Sequence, residues 1–304
     1  MQKAIVTGGA GFIGSNLVDR LVTDGFHVIV IDNESAECNA EFYHNNKAEY
    51  HKYDVEDYDS IEPLFKGVDY VFHLAAESRI QPTLDRPVKA CMTNIIGTCN
   101  ILEASRRNGI KRVMYSSTSS AYGLKNSIPL KETMHRDCLN PYSVTKVAAE
   151  DLCKMYYTLY GLETVIFRYF NVFGERQPLK GQYAPVVGLF LEMKKDGKPM
   201  TVVGDGKQTR DYTYVGDVVE ANILAMKTTN KDAIAEVYNV GTGTHHSVLD
   251  LVDIIEGEHT FLPARDGEAR HTLADIGKIM LELDWQPKET IKNWIINYKK
   301  KHNI

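Results

Sequence analysis

The sequence predicts an α/β fold in which a doubly wound parallel sheet is joined to a smaller mixed α/β substrate-binding domain. Three observations lead to this prediction. An apolar strand at the start of the chain runs into a glycine-rich turn, strand-like and helix-like patterns alternate up to about residue 170, and the connections between them are short. Such alternation is typical of a parallel sheet with helices on both faces. In sheets of this kind, ligands bind at the carboxyl ends of the strands.

The first strand and the turn that follows it carry a phosphate-binding pattern. Within residues 3–14, which read KAIVTGGAGFIG, Gly9, Gly11 and Gly14 fit G-x-G-x-x-G, and Gly8 begins an overlapping G-x-x-G-x-x-G. Glycine permits positive φ and a close approach of the backbone to a pyrophosphate. The helix N-terminus behind the turn offers free N–H groups and the positive end of its dipole. Since strand, turn and helix occur in this order, the pattern predicts a Rossmann-type dinucleotide site.

The second strand, residues 27–31, ends at Asp32, at roughly the distance expected for the acidic residue that binds a ribose. Its carboxylate would accept hydrogen bonds from the adenosine ribose hydroxyls and would repel a 2′-phosphate. The position of Asp32 therefore predicts NAD rather than NADP as the cofactor.

The next two strands end in further candidate cofactor contacts. An alternating strand over residues 49–54 ends at Asp54, which can either meet the adenine amine or cap a helical segment near residues 58–65. A fourth strand over residues 68–76 ends in His-Leu-Ala-Ala, and small residues at a strand end suit the close approach of a cofactor.

Helices and strands continue to alternate through the second half of the sheet. A helical pattern runs from about residue 88 to 107, and a fifth strand over residues 112–116 leads into the hydroxyl-rich run Ser117–Ser120. A helix is predicted over residues 141–160, because Pro141 suits a first helical turn, and a sixth strand over residues 164–169.

The character of the sequence changes after Asn171, where glycine, proline and basic residues become frequent. We therefore predict a Rossmann domain over residues 1–170, extended by about residues 212–240, and a smaller discontinuous domain over residues 171–304. Residues 236–240 read as a strand that returns to the first sheet.

Composition argues against several classes of protein. The 304 residues carry a formal net charge of -5 without a large acidic or basic block, which gives no sign of nucleic acid or an anionic membrane as partner. The five cysteines contain no C-x-x-C pair, so we expect neither a disulfide framework nor a metal site. No apolar run reaches membrane-spanning length. The first strand begins at residue 3 and leaves no room for a signal peptide, so we expect a cytoplasmic protein.

Tyr142 and Lys146 are the candidates for proton transfer, because residues four apart share one face of a helix. A phenol is a poor base at neutral pH, but a nearby ammonium favours the phenolate, which can then take a proton from a substrate hydroxyl. One of the hydroxyls of residues 117–120 is expected to form a short hydrogen bond with the same substrate oxygen. Tyr43 and Lys47 have the same spacing but lie at the adenine end, so we do not favour them.

Four stretches together resemble the extended short-chain dehydrogenase/reductase family: residues 8–14 (GGAGFIG), 73–76 (HLAA), 142–146 (YSVTK) and 168–174 (RYFNVFG). The resemblance covers nearly the whole chain. It is greatest to the nucleotide-sugar 4-epimerases of the UDP-galactose or UDP-N-acetylglucosamine type. The family uses NAD and usually forms homodimers through two helices per subunit, here those near residues 88–107 and 141–160.

The resemblance implies a role for each matching residue in catalysis. Tyr142 would be the base, Lys146 would hold the nicotinamide ribose, and Thr118 would occupy the catalytic Ser/Thr position. Related 4,6-dehydratases carry Asp-Glu directly after that threonine. Ser119 and Ser120 stand there in this chain, which argues against dehydration. The cofactor-binding residues that the resemblance implies are Gly8, Gly11, Phe12, Ile13, Gly14, Asp32, Asn33, Asp54, Val55, Leu74, Ala75, Ala76, Tyr142 and Lys146.

The resemblance also implies a UDP-sugar site. Asn171, Arg210 and Arg265 would bind the diphosphate, since guanidinium groups suit phosphate oxygens, while Glu268 would hold the nucleotide ribose. Thr272 matches a wall position where UDP-galactose-restricted relatives can carry a large Tyr, so space for a 2-acetamido group is expected. The implied substrate-binding residues are Ser78, Thr118, Ser119, Ser120, Tyr142, Asn171, Thr201, Val203, Arg210, Arg265, Glu268 and Thr272.

Three functions therefore stand side by side. The favoured one is NAD-dependent C4 epimerisation of a UDP-hexose. The second is another reaction of the same family, namely UDP-glucuronate 4-epimerisation, 4,6-dehydration or net dehydrogenation. The third is a non-catalytic dinucleotide-binding or sensor protein, against which Thr118, Tyr142 and Lys146 weigh.

Overall fold

The computed structural model describes residues 1–36, 39, 41–179, 184–263 and 269–304. Its strands are β1 (Lys3–Thr7), β2 (His27–Ile31), β3 (Glu49–His51), β4 (Tyr70–His73), β5 (Arg112–Thr118), β6 (Glu163–Tyr169), β7 (Val172–Phe173), β8 (Met200–Val203), β9 (Thr209–Arg210), β10 (Thr213–Tyr214), β11 (Val237–Val240), β12 (His246–Ser247) and β13 (His259–Leu262).

The α-helices in the described ranges are α1 (Phe12–Thr23), α2 (Tyr58–Ile61), α3 (Ile80–Asp85), α4 (Pro87–Cys91), α5 (Gly97–Arg107), α6 (Pro141–Tyr160), α7 (Val186–Lys195), α8 (Val215–Lys227), α9 (Val248–Ile255), α10 (Gly277–Leu283) and α11 (Ile291–His302). Shorter 3-10 turns cover Glu62–Phe65, Ser119–Tyr122 and Lys231–Ala233, and a π-helical turn covers Met92–Ile96.

Seven strands form one parallel sheet in the order β11-β6-β5-β4-β1-β2-β3, so the predicted α/β fold with a doubly wound parallel sheet is confirmed. The chain builds outward from β1 to β3, then crosses back to place β4 on the other side of β1. A crevice opens at such a switch point, outside the carboxyl ends of the strands. The turn after β1 and the loop after β4 both lie there.

The sheet buries both of its faces, as parallel sheets do. Alternate residues of one strand face opposite ways, so Val6 of β1 belongs to the apolar cluster that contains Leu17 of α1, whereas Ile5 belongs to the cluster that contains Ile101 of α5. Ile5, Val6, Leu17 and Ile101 have no solvent exposure. The elements around β1 are therefore held rigidly by packing on both sides.

A third apolar cluster forms from the C-terminal part of the chain. It includes Phe173, Phe190, Leu251 and Trp294, and it joins helices α7, α9 and α11 to strand β8. Strand β11 leaves this region and pairs with β6, as the sequence predicted. The boundary near residue 170 stays a prediction, because these clusters do not define the ends of domains. No helix of the described residues is long and apolar enough to cross a membrane.

The segment after β4 differs from the predicted one. Strand β4 ends at His73 rather than Ala76, and an additional short helix, α3, follows the loop. The predicted helix over residues 88–107 is interrupted by the π-helical turn Met92–Ile96, which turns Asn94 into the interior. Such turns are frequent at functional sites.

Candidate active site

The glycine turn brings the backbones of β1 and the loop after β4 into contact. Gly8 has a φ of 69°, and a Cβ atom there would lie 2.8 Å from the Ala75 nitrogen. A Cβ atom on Gly14 would lie 2.1 Å from the Gly8 oxygen. Both positions therefore require glycine, and α1 begins directly beside the turn. At Gly11, the N-cap of α1, an added Cβ would make only ordinary contacts, the nearest with the Gly8 oxygen at 3.4 Å.

A cleft of about 950 Å³ runs along the carboxyl ends of the strands. Every cofactor-binding candidate from the sequence lines it: Gly8, Gly11, Phe12, Ile13, Gly14, Asp32, Asn33, Asp54, Val55, Leu74, Ala75, Ala76, Tyr142 and Lys146. Of the substrate candidates, Ser78, Thr118, Ser119, Ser120 and Asn171 line the same cleft. The strand order thus gathers residues that are far apart in the sequence.

The residues of this cleft fit a dinucleotide. The carboxylate of Asp32 accepts hydrogen bonds from the backbone nitrogens of Ala10 (2.9 Å) and Glu34 (2.8 Å), which fix its orientation at the end of β2. Burial raises the pKa of Asp32, and these two donors oppose that rise. The oriented carboxylate, the open N-terminus of α1 and the contact at Gly8 together make the cradle that NAD requires.

Asp54 belongs to the cleft and is not a helix cap. Asp57 caps α2 by accepting a hydrogen bond from the Ser60 nitrogen. Asp54 accepts instead from the Asn33 amide at 2.9 Å and from the Lys89 ammonium at 3.3 Å. Burial raises the pKa of Asp54, but its hydrogen bonds and Lys89 outweigh burial, so this pKa lies below its ordinary value. Of the two roles considered for Asp54, capping is wrong.

A buried chain of hydrogen bonds ties the loop after β4 to β1. The Thr7 hydroxyl accepts from the backbone nitrogens of Leu74 and Ala75, so its proton is free to go to His73 Nδ1 at 2.7 Å. His73 Nε2 then donates to the Thr98 hydroxyl at 2.9 Å, which donates to the Asn94 carbonyl at 2.6 Å. This direction requires a neutral imidazole. Burial, assisted by the Lys146 charge, lowers the pKa of His73 to about 3.

Asn94 clamps the next part of the loop to the catalytic helix. Its side-chain oxygen accepts from the Glu77 nitrogen at 2.8 Å, and its amide donates to the Glu77 carbonyl at 3.1 Å and to Thr145 Oγ1 at 2.9 Å. Thr145 lies on α6 between Tyr142 and Lys146. The loop that follows the cofactor-side residues is therefore fixed relative to the candidate base.

Tyr142 and Thr118 both line the cleft and interact with each other there. Helix α6 is oriented by a capping box in which Asn140 accepts from the Ser143 nitrogen. Burial raises the pKa of Tyr142, while interaction with Thr118 and the positive charge of Arg79 oppose that rise. The ammonium of Lys146 lies 4.4 Å from the centroid of the Tyr115 ring.

The prediction that the Lys146 ammonium favours the Tyr142 phenolate stays a prediction. The positive charge of Arg79 opposes the rise in the pKa of Tyr142, while the Lys146 ammonium lies over the Tyr115 ring. Burial lowers the pKa of Lys146 to about 7, opposed by the charge of Glu150. The ribose-holding role of Lys146 stays a prediction.

A buried ion pair supports the strand that carries Thr118. Glu150, two turns after Tyr142 on α6, pairs with Arg168 of β6 through contacts of 2.9 and 2.7 Å and accepts from the Ser117 hydroxyl. All three side chains are almost completely buried. Removing one member would leave a buried charge without a partner, which is strongly destabilising. The pair thereby fixes the end of β5 against α6.

Four of the remaining substrate candidates are described, and none of these four lines the cleft. Thr201 and Val203 share the less buried face of β8, Arg210 lies on β9, and the Thr272 backbone nitrogen bonds to the Thr209 carbonyl at 3.1 Å. The Thr272 hydroxyl is buried without a hydrogen-bond partner. Arg265 and Glu268 lie outside the described residues. The roles of these six residues stay predictions.

Sequence reasoning missed three residues of the site. Arg79 lines the cleft with Tyr142, and Asn94 holds the loop after β4. Glu150 accepts a hydrogen bond from Ser117, the residue before Thr118. A signal existed for Arg79, since it lies in the loop after β4, and ligands of parallel sheets bind at the carboxyl ends of the strands. Nothing in the local sequence distinguishes Asn94 or Glu150 from other polar residues on helices.

Comparison with known proteins decides the family. The model of the NAD dependent epimerase/dehydratase family matches residues 4–241. The chain belongs to this family. It is accordingly an enzyme of the extended short-chain dehydrogenase/reductase type, with NAD as cofactor.

Its relatives include nucleotide-sugar 4-epimerases. The chain is 36% identical to a UDP-glucose 4-epimerase of Mycolicibacterium smegmatis over 307 residues, covering 97% of this chain and 96% of that protein. The crystal structure of UDP-glucose 4-epimerase with UDP-glucose from Thermotoga maritima has a TM-score of 0.92, 35% identity and full coverage of both chains. A UDP-N-acetylglucosamine 4-epimerase from Methanobrevibacter ruminantium, in complex with UDP-N-acetylmuramic acid, has a TM-score of 0.90 and 33% identity, covering 97% and 96% of the two chains.

Proposed function

We propose that this enzyme epimerises a UDP-hexose at C4 through a transient 4-keto sugar. The favoured pairs are UDP-N-acetylglucosamine with UDP-N-acetylgalactosamine, and UDP-glucose with UDP-galactose. The observation that carries the proposal is the meeting of Tyr142 and Thr118 in the same cleft as the dinucleotide cradle. A sugar hydroxyl can reach a base there while its carbon lies beside the cofactor.

The side chains divide the work between proton transfer and positioning. NAD, when bound, supplies the group that accepts a hydride from C4 and returns it. Tyr142 takes the proton of the 4-hydroxyl at its phenol oxygen and later gives it back, and Thr118 hydrogen-bonds to the same substrate oxygen. General base catalysis of this kind contributes roughly 10²–10⁴-fold to rate. The reaction leaves no net oxidation.

Inversion requires that the sugar turn while the rest of the substrate stays bound. After proton and hydride have left, the flat carbonyl at C4 presents either face, provided that the hexose swings about its bonds to the diphosphate. Asn171 lines the cleft and is suited to hold the diphosphate. Arg210 and Arg265 are proposed to assist from the C-terminal part of the chain.

The alternatives are less well supported. A 4,6-dehydratase needs an acid and a base after the threonine, whereas Ser119 and Ser120 line the cleft here. A protein that only binds a dinucleotide needs no proton-transfer groups such as the hydroxyls of Thr118 and Tyr142. A UDP-glucuronate substrate is compatible with the cation of Arg79 in the cleft, which is the observation that keeps this second candidate.

We also propose that the enzyme is a homodimer. Apolar side chains of the helices near residues 88–107 and 141–160 remain exposed, including Val88 (75%), Met92 (41%), Ile96 (43%), Val144 (50%) and Leu159 (65%). The spacing of Val88, Met92 and Ile96 puts them on one helix face. Exposed apolar faces of this extent mark interaction sites, and a second copy of the same face would cover both.

The experiment is incubation of the purified enzyme and NAD with individual UDP-sugars, followed by NMR of the products. The C4 epimer should accumulate to the same equilibrium from either side. The variant Tyr142→Phe should lose activity by orders of magnitude and keep NAD binding, whereas Tyr157→Phe, on the exposed part of the same helix, should remain active. Absence of any C4 epimer from all UDP-sugars, or full activity of Tyr142→Phe, would contradict the proposal.

A further inference from the structure

Arg79 is a charged residue of the cleft, and one of its hydrogen-bond donors lacks a protein partner. It lies in extended backbone, with φ of −127° and ψ of 142°, directly before α3. Its Nε is buried without a hydrogen-bond partner. Leaving a buried donor unsatisfied costs about 1–3 kcal/mol, and more for a charged group. Such a group in a native cleft therefore calls for an acceptor that the chain itself does not provide.

The position of Arg79 is set by buried contacts and not by its own side chain. Asn94 holds both the nitrogen and the carbonyl of Glu77, two residues earlier, and the same amide bonds to Thr145 of α6. The backbone leading to Arg79 is thereby fixed against the helix that carries Tyr142. Electrostatic interaction between Arg79 and Tyr142 follows from this placement.

The other residues that line the cleft indicate which part of a substrate would lie near Arg79. The cofactor cradle lies at Gly8, Gly11 and Asp32, and the predicted diphosphate ligand Asn171 lies beyond the end of β6. Tyr142 marks the place where the hexose reacts. The guanidinium group of Arg79 lines this cleft and interacts electrostatically with Tyr142, and its planar fork of donors suits oxygen acceptors.

We propose that Arg79 binds the hexose of the sugar nucleotide, donating its Nε–H to a sugar oxygen next to Tyr142. This inference rests on the proposed function and adds a substrate contact and specificity determinant to it. The acceptor is an oxygen that the sugar carries as a hydroxyl, as an acetamido carbonyl or as a C6 carboxylate. The charge of Arg79 favours the acceptor with the greatest negative charge.

The decisive measurement separates the sugar from the nucleotide. Calorimetric titration of the NAD-loaded enzyme with UDP and with a UDP-sugar should be compared for the unaltered chain and Arg79→Met, which keeps an unbranched apolar side chain but no donor. We expect affinity for the UDP-sugar to fall about ten- to a hundredfold, as for loss of a charged hydrogen bond. Affinities for UDP and for NAD should remain unchanged.

Two further variants make the result specific. Arg79→Lys keeps the charge but not the fork, so it should recover part of the loss. Arg20→Met removes a guanidinium from α1, on the opposite side of the sheet, where it pairs with Asp24 and Glu220, and should leave UDP-sugar affinity unchanged. Circular dichroism of Arg79→Met and its unchanged NAD affinity exclude unfolding as the cause.

Three sugars identify the acceptor. A loss with UDP-glucose, UDP-N-acetylglucosamine and UDP-glucuronate alike assigns a ring hydroxyl, a loss confined to the second assigns the acetamido carbonyl, and one confined to the third assigns the carboxylate. Each pattern supports a contact between Arg79 and the sugar. Two results would overturn the inference. One is unchanged affinity of Arg79→Met for all three UDP-sugars, and the other is an equal loss of its affinity for free UDP. If the unaltered enzyme converts no UDP-sugar, the proposed function fails separately, whatever Arg79 binds.

Discussion

Thr7 Oγ1 and His73 Nδ1 lie 2.7 Å apart in the interior, joining the ends of the neighbouring strands β1 and β4. The contact begins the chain of hydrogen bonds that runs through Thr98 to Asn94, and it holds the loop that lines the cofactor side of the cleft. Because the imidazole is completely buried, its pKa is lowered to about 3. The network is therefore stable only around a neutral histidine.

This arrangement predicts a specific pH dependence of stability. Between about pH 6.5 and pH 3 the unfolded chain binds a proton at His73 that the folded chain does not bind. Stability from this group is therefore present above the unfolded pKa and is lost as the pH falls, by about 1.4 kcal/mol per pH unit. Urea unfolding at several pH values should reveal this contribution when His73→Gln is compared with the unaltered chain.

The variant also loses buried hydrogen bonds, so it should be less stable at pH 8 by about 1–3 kcal/mol. The difference between the two chains should shrink as the pH falls from 6.5 toward 4. His135→Gln, at an exposed position, should follow the unaltered chain throughout. A difference that stays constant over this pH range would show that His73 is not held neutral by burial.

Asp32 predicts discrimination between the two nicotinamide cofactors. Its carboxylate, oriented by Ala10 and Glu34, should accept from the ribose hydroxyls of NAD and repel the 2′-phosphate of NADP. Calorimetry should give an affinity for NADP about ten- to a hundredfold lower than for NAD, the size of a charged hydrogen bond. Asp32→Asn removes the charge and keeps the shape of the side chain, so it should reduce the difference between the affinities for NAD and NADP. Comparable affinities of the unaltered enzyme for both cofactors would refute this role.

The sequence predicts the parts of the site that depend on local patterns. Glycines in a turn between strand and helix, an acid at a strand end, and a Tyr and Lys one helical turn apart all have consequences that spacing alone reveals. The parallel order then brings Asp32, Thr118 and Tyr142 to one edge of the sheet. The alternation of strands and helices in the sequence was enough to predict this arrangement.

Other features depend on contacts between distant segments. The amide of Asn94 reaches Thr145, 51 residues away, only because a π-helical turn directs it inward. The charge of Arg79 acts on Tyr142 and the Lys146 ammonium lies over the Tyr115 ring, because the orientation of long side chains depends on what surrounds them. Helical spacing places Lys146 on the same face as Tyr142 but does not determine where its ammonium points.

Thr272 predicts tolerance of a 2-acetamido group. Its side chain is small and its hydroxyl is buried without a partner, so a large ring introduced there would occupy interior space. Thr272→Tyr should suppress turnover of UDP-N-acetylglucosamine by at least about tenfold more than that of UDP-glucose, the discrimination that steric contacts in a pocket achieve. Thr272→Ser is the matched control and should convert both sugars. Equal losses on both sugars in Thr272→Tyr would place this residue outside the sugar pocket.

The exposed apolar helices predict a dimer that charge can disrupt. The double variant Val88→Glu/Met92→Glu would bury unpaired carboxylates in the proposed interface. The free-energy cost of burying these charges should prevent the dimer from forming. Light scattering after size exclusion should give a dimer for the unaltered chain and a monomer for the double variant. Leu281→Glu, at a side chain of α10 that is 85% exposed, should remain dimeric. A monomeric unaltered chain at micromolar concentration would contradict the proposed assembly.

In the proposed reaction, the hydrogen at C4 leaves the sugar and returns to it within one active site. The direct measurement is conversion of UDP-glucose, or its 2-acetamido counterpart, labelled with deuterium at C4, in ordinary water, followed by NMR of the product. We expect the C4 epimer to form with the deuterium retained at C4, while the hydroxyl proton transferred by Tyr142 exchanges with solvent. A C4 epimer that has lost its deuterium to water, or a product altered at any other carbon, would contradict the proposed mechanism.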